Sequence, residues 1–331
     1  MSDGHWQRFV EWAGRDRMRV GASLFRVVGG IAILIEYLLN YAQRHYFFGP
    51  DGLWPWDVFA AHATGTPAFS VYAWSRSPIY FEVCFHLGIL VSVLWLVGWR
   101  TRWMTPLCFV FWWSMHQRFP SLWDGGDNLM RLALLYAMFA DVGAYFSVDA
   151  QRRARLPPRP EWQRQALSML HNAALLAFAM QISLVYGVAG LYKVQGEPWR
   201  EGTALYYAMR GGQFVWPGVS DLFYQNAYLM TALSYGTVAF QIAFPFLLLM
   251  NRYTRLLAVC IGVSFHVGIC LFLGLVTFSL FMMAVDLALI GDEEYLAAGR
   301  WWARVSAKLR ARWPSASFPS AVPPTTKGEV R

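Results

Sequence analysis

Apolar residues gather into eight runs along the chain, at about 20–41, 79–98, 104–117, 128–147, 165–192, 227–250, 255–273 and 275–290, separated by short polar stretches. A helix needs about 20 apolar residues to cross roughly 30 Å of hydrocarbon, and most of these runs approach that length. The third and the last two are short. The pattern predicts an all-α, polytopic integral membrane bundle of about eight transmembrane helices over residues 20–292. A segment 1–19 precedes it and a tail 293–331 follows.

Composition strengthens this reading. Of 331 residues, 56% are hydrophobic, only 15% are charged and 17 are Trp, too apolar and aromatic for an ordinary soluble enzyme. Residues 1–19 are polar, and the first run lacks a small-residue cleavage site, so that run is expected to be its own insertion signal. Twenty Lys and Arg fall on the N-terminal segment, the tail and every second loop, against six on the alternate loops. The positive-inside rule then predicts both termini in the bacterial cytoplasm. The net charge of +8 is thereby mostly topological, and with no base-stacking or groove-reading motif a nucleic-acid partner is not expected. Cys84, Cys108, Cys260 and Cys270 lie within the runs with no CxxC pair, which implies neither disulfides nor a metal site.

The loops differ in kind. Those predicted to face the cytoplasm are short and basic, whereas the outward ones carry Gly, Pro, Trp and acidic clusters: HYFFGPDGLWPW (45–56), RFPSLWDGGDN (118–128) and KVQGEPWREGT (193–203). Function is expected on the outer side. In the tail, Arg300, Arg304, Lys308 and Arg312 recur every four residues beside Trp301, Val305 and Leu309, a basic amphipathic helix suited to membrane lipid headgroups. Beyond it a Pro/Ser-rich stretch is expected to be disordered.

Ionisable groups inside spans are costly, which makes Arg26, Glu36, Glu82, His86, Arg131, His171, His266 and Asp286 functional candidates by position. Glu82 and His86, four apart, form either an acid/base couple or a pair that satisfies itself. Asp127 and Arg131 repeat that spacing where WDGGDN enters the fourth run; Asp127 or Asn128 is expected to cap the helix, while Gly125 and Gly126 would let backbone approach a ligand. Lys193 ends the fifth run. Ser183, Gly187, Ala189 and Gly190 give that helix a small-residue face for close packing, so the lysine arrives from inside a tight bundle. Partial burial there is what turns a lysine into a usable base; a lysine snorkelling to the headgroups is the competing reading.

The segment GVAGLYKVQGEPWREGTALYYAMR (187–210) resembles the signature of the HTTM family, the transmembrane module shared by vitamin K-dependent gamma-glutamyl carboxylases and many bacterial proteins. FFGPDGLWPW, SLWDGGDNLMRLALLYAMF and FHVGICLFLGLVTFSLFMM fit the same family in the same order, over roughly residues 15–292. In the carboxylases the lysine of a similar Ala-Gly-x-x-Lys run activates the reduced vitamin, so the resemblance implies Lys193 as catalytic base. It also implies menaquinol with oxygen as cofactors, with Trp199, Glu201 and His266 in matching elements; Asp127, Asn128 and Arg131, candidates by position, are expected to join them in binding substrate or quinol. Glu82, His86 and Arg26 are further candidates by position. The chain has Gly126, Asp127 and Asn128 where the carboxylases carry Asn-Asn-His, and it lacks their large lumenal domain. Quinol-linked chemistry is therefore implied rather than glutamate carboxylation itself. Similarity of layout to bacterial members that mature a toxin implies a secreted precursor peptide and an accessory maturation protein as partners. A membrane chaperone, immunity or export partner for that peptide is the non-enzymatic alternative, and a transporter a weaker one.

Overall fold

The computed structural model describes residues 3–66, 68–211, 218 and 220–312, and all regular structure among them is helical. The principal helices are α1 (Asp3–Ala13), α2 (Arg19–Leu39), α3 (Pro78–Leu96), α4 (Thr101–Arg118), α5 (Gly125–Ala137), α6 (Glu161–Gln195), α7 (Ala227–Met250), α8 (Arg252–Leu273), α9 (Val276–Ala288) and α10 (Asp292–Arg312). Each of the eight apolar runs contains one of α2 to α9. Five of them, α2, α3, α6, α7 and α8, are long and apolar enough to cross a membrane.

Local chemistry sets the helix starts. Ser77 accepts the Tyr80 amide and is followed by Pro78, whose missing N–H costs nothing at a first turn. Asn251 caps α8 in a reciprocal box with Thr254, which lets the chain reverse directly from α7. Asp124 caps α5 by accepting from the amides of Gly126 and Asp127, while the Asp127 carboxylate takes the Asp124 amide. The cap is therefore Asp124, not Asp127 or Asn128 as expected.

The fourth run is only partly helical. α5 stops at Ala137, ten residues before the run ends, because Asp141 interrupts the apolar sequence and is drawn to Arg153, which donates bonds of 2.7 and 2.8 Å. Burial by itself would raise the Asp141 carboxyl, but the Arg153 bonds outweigh it and hold the group below its ordinary value. A depressed carboxyl contributes stability above its unfolded value of about 3.9, and that contribution is lost as pH falls through the lower folded value. Asp141→Asn is expected to cost about 1–2 kcal/mol near neutral pH and to flatten acid destabilisation in that window. Thermal unfolding of the detergent-solubilised proteins between pH 3 and 7 checks this; an unchanged acid limb in the variant would remove the pair as its cause.

α9 lies against α2, α5, α6 and α8, and its contact with α2 is a backbone one. A Cβ at Gly21 would stand 2.6 Å from the Ala288 carbonyl oxygen. α6 meets α7 equally closely at Gly190, where a Cβ would lie 2.8 Å from Ile242 Cγ1. That is the small-residue contact read from the sequence.

Bonds between loops sort the helix ends into two sets. On one side Asp292 accepts the amides of Arg19 and Val20, Asp149 accepts those of Arg100 and Thr101, and His171 bridges the Arg17 carbonyl and the Asp141 amide. On the other, Arg118 donates to the carbonyls of Phe48, Gly49 and Trp54, and Arg44 grips Glu82. The first set contains the arginine-rich loops predicted to be cytoplasmic.

Residues 293–331 form a separate unit, in which α10 leaves Trp301 and Trp302 exposed. The Pro/Ser-rich stretch expected to be disordered lies outside the described residues.

Candidate functional site

α6 has 35 residues, a length of about 52 Å at 1.5 Å per residue, so it outreaches the hydrocarbon layer. Lys193 stands two residues before its end at Gln195. The chain then breaks at Gly196 and re-forms a single turn, Glu197–Arg200, that returns the Trp199 ring under the lysine. Lys193 Nζ lies 5.1 Å from the ring centroid. The side chain is half-buried, and no ion pair among the described residues includes it. Two contacts pin this loop to α7: Tyr235 donates to the Arg200 carbonyl at 2.8 Å, and Gly202 sits where a Cβ would meet Thr231 Cγ2 at 2.7 Å. Gly202 also has φ +73°, which favours glycine by itself. Trp199 is thus brought to Lys193, whereas Glu201 is exposed and makes no pair with it.

Residue usage adds a distinction. The chain holds 25 Arg but only three Lys, and Lys193 is the one lysine before Lys308. Every other cation in the helical bundle is an arginine, which does not deprotonate in proteins.

Tyr186, Gly190 and Lys193 share one face of α6 at spacings of four and three. Two turns below the lysine, the Tyr186 hydroxyl donates to Asp286 Oδ2 at 2.9 Å and accepts from His266 Nε2 at 2.9 Å. All three residues are buried, and Asp286 Oδ1 and His266 Nδ1 have no partner among the described residues. Gly262 makes room for this chain, since a Cβ there would stand 2.7 Å from Asp286 Oδ2. His266 therefore joins a buried relay and does not face open space. Tyr186 was not singled out in the sequence, although its register with Lys193 could have marked it.

A second buried group gathers at the ends of α2, α4 and α5. His116 Nε2 lies 3.0 Å from Glu36 Oε1 and 3.6 Å from Asp127 Oδ1. Its ring is 4.1 Å from that of Trp112 and 5.5 Å from that of Trp123. Asp127 therefore turns inward, and the expected pair with Arg131 is not made. Arg131 instead donates to Asn128 Oδ1 at 2.5 Å and places its guanidinium 5.2 Å from the rings of both Trp113 and Trp123, with Nε unpartnered. Gly126 serves helix packing, since a Cβ there would lie 2.9 Å from Phe278 Cα of α9, and not the close approach of a ligand.

The remaining candidates are engaged elsewhere. Arg44 donates three bonds of 2.8–3.2 Å to Glu82, whose Oε1 also lies 2.6 Å from His45 Nε2. His86 bonds the Glu82 carbonyl and the Tyr41 hydroxyl, so Glu82 and His86 belong to a larger network and not to a self-sufficient couple. Arg26 is fully buried on the opposite side, donating to the backbone carbonyls of Trp95, Leu96, Val142, Tyr145 and Phe146. It staples α2 to the end of α3. A cavity of about 320 Å³ on the loops predicted to face outward is walled by Trp56, Phe59, Phe69 and Trp74, with no ionisable side chain among its lining residues.

Comparison with known proteins places this architecture. The model of the HTTM domain matches residues 65–291. The sporulation-delaying protein SdpB of Bacillus subtilis (strain 168) is 21% identical over 267 residues, covering 79% of this chain and 78% of its own. No solved structure matches.

Proposed function

Because the chain belongs to the HTTM family, we propose that it matures a secreted precursor peptide at the outer face of the bacterial cytoplasmic membrane, with Lys193 as general base. One observation carries this reading: a half-buried lysine, alone of its kind in the bundle, rests on an aromatic face with no carboxylate among the described residues paired to it. In its neutral form the amine takes a proton from a weakly acidic group of the substrate. The Trp199 face then stabilises the ammonium that results, by roughly 0.5–2 kcal/mol. Arg131, with Nε unpartnered, is suited to hold an anionic group of the peptide.

A quinol headgroup needs an apolar wall beside polar contacts. The aromatic cavity supplies only the first, whereas a cavity of about 400 Å³ beside Glu82, His86, Leu87 and Leu90 offers both, away from Lys193. Base and aromatic wall are separate features, and the proposed proton transfer needs no quinol.

A non-enzymatic role as a chaperone, immunity or export partner is favoured by how many ionisable candidates are bound up structurally, namely Arg26, Glu82, Asp127 and His266. The two readings share a peptide partner and part company at Lys193. A photo-cross-linking residue placed at Tyr207, exposed on the segment after the Trp199 turn, is expected to capture the secreted precursor in intact cells. One at Trp162, at the other end of α6, is expected to capture none. Capture at Trp162 alone would overturn the outer site, and capture at neither would remove the peptide.

A further inference from the structure

We propose that Glu36, His116 and Asp127 form a binding site for a divalent first-row transition metal, with donors that suit zinc. The inference stands independently of the peptide reading. One donor atom from each of Glu36, His116 and Asp127 lies within 4.8 Å of the other two, and His116 Nε2 stands 3.0 Å from Glu36 Oε1 and 3.6 Å from Asp127 Oδ1. Donors on a tetrahedral zinc at 2.0–2.1 Å stand about 3.4 Å apart, so a cation fits among them with small adjustments.

The surrounding bonds orient each ligand for this task. His116 Nδ1 faces the Trp112 carbonyl at 2.9 Å, which fixes the proton there and leaves Nε2 with its lone pair towards the carboxylates. Asp127 Oδ2 accepts the Asp124 amide at 2.9 Å, which leaves Oδ1 free to ligate. Glu36 Oε2 is buried with no partner. In this tautomer three acceptor atoms converge on one point.

Charge balance is compatible with a metal here. Among the described residues the only ion pairs of Glu36 and Asp127 are those with His116. A proton on His116 balances one carboxylate, whereas a divalent cation beside a neutral imidazole balances both. One nitrogen and two carboxylate oxygens form a set that takes Zn²⁺ among the available metals. Three protein ligands also leave one tetrahedral position open. The bound metal would tie together the ends of α2, α4 and α5, which lie 80 and 11 residues apart in sequence.

The test is elemental analysis of the full-length protein, purified in detergent without chelator and then dialysed against Zn²⁺. Wild type is expected to retain about one zinc per chain, as a three-ligand site predicts, and to give the visible bands of tetrahedral cobalt when loaded with Co²⁺. His116→Gln and Glu36→Gln, each verified as monodisperse by size exclusion, are expected to lose both signals at least tenfold. Wild type that holds no zinc and shows no cobalt bands overturns the site, and so does either folded variant that keeps full stoichiometry.

Discussion

Lys193→Arg is expected to lower peptide maturation by roughly 10²–10⁴-fold, the range removed when a general base is lost, with membrane abundance near wild type. Arginine keeps the positive charge, reaches the same headgroups and stacks on Trp199 at least as well as lysine does. It cannot release a proton near neutral pH. A lysine that serves only to anchor α6 would be replaced freely, because either long cation snorkels. Lys193→Ala separates charge from chemistry: under the base reading both variants fail alike, and under the anchor reading only alanine is affected. Maturation rates normalised to protein level decide, and a fully active arginine variant would remove Lys193 from the catalytic role.

Arg26→Met is expected to cost about 3–5 kcal/mol, enough to deplete the folded protein from the membrane. The methionine roughly fills the space of the arginine stem but offers no donor to the carbonyls of Trp95, Leu96, Val142, Tyr145 and Phe146. The Trp95 carbonyl keeps the Gly98 amide at 3.0 Å, but each other buried carbonyl left unpaired costs about 1–3 kcal/mol, partly relieved where water reaches the loop. The loss falls on the junction of α3 with residues 142–146, far from Lys193. Arg26→Lys, which restores some donors, should be milder. Fluorescence-detected size exclusion after heating measures both. An Arg26→Met protein that melts with wild type would show that these carbonyls find other donors.

The two residues differ in how far the sequence could announce them. Lys193 is legible because it interrupts a long apolar run at a Gly/Pro boundary. Arg26 is legible as a costly buried charge, but its partners are backbone carbonyls, which leave no trace in residue identity. The positions of the helices in the eight apolar runs follow from hydropathy, although only five of them are long and apolar enough to cross a membrane. The early end of α5 does not, since the run stays apolar on both sides of Asp141 and the partner that draws this residue aside, Arg153, is seen only in the fold. The gathering of Glu36, His116 and Asp127 escaped for another reason. Three residues on three helices share no spacing, and His116, near the end of α4, looks like any membrane-interface histidine until folding turns it inward. Asp127 was found but given the wrong partner, because an i,i+4 arginine is the nearest candidate in sequence whereas His116 is the nearest in space.

A base at Lys193 that matures a secreted peptide leaves a covalent change in that peptide. Mass spectrometry of the secreted peptides from cells carrying wild type, Lys193→Arg or no copy of the protein tests this most directly. A peptide of altered mass or cleavage pattern is expected with wild type alone, while the unaltered precursor accumulates in the other two strains. A peptide of identical mass in all three, differing only in amount, would contradict this expectation and leave the protein a non-enzymatic partner.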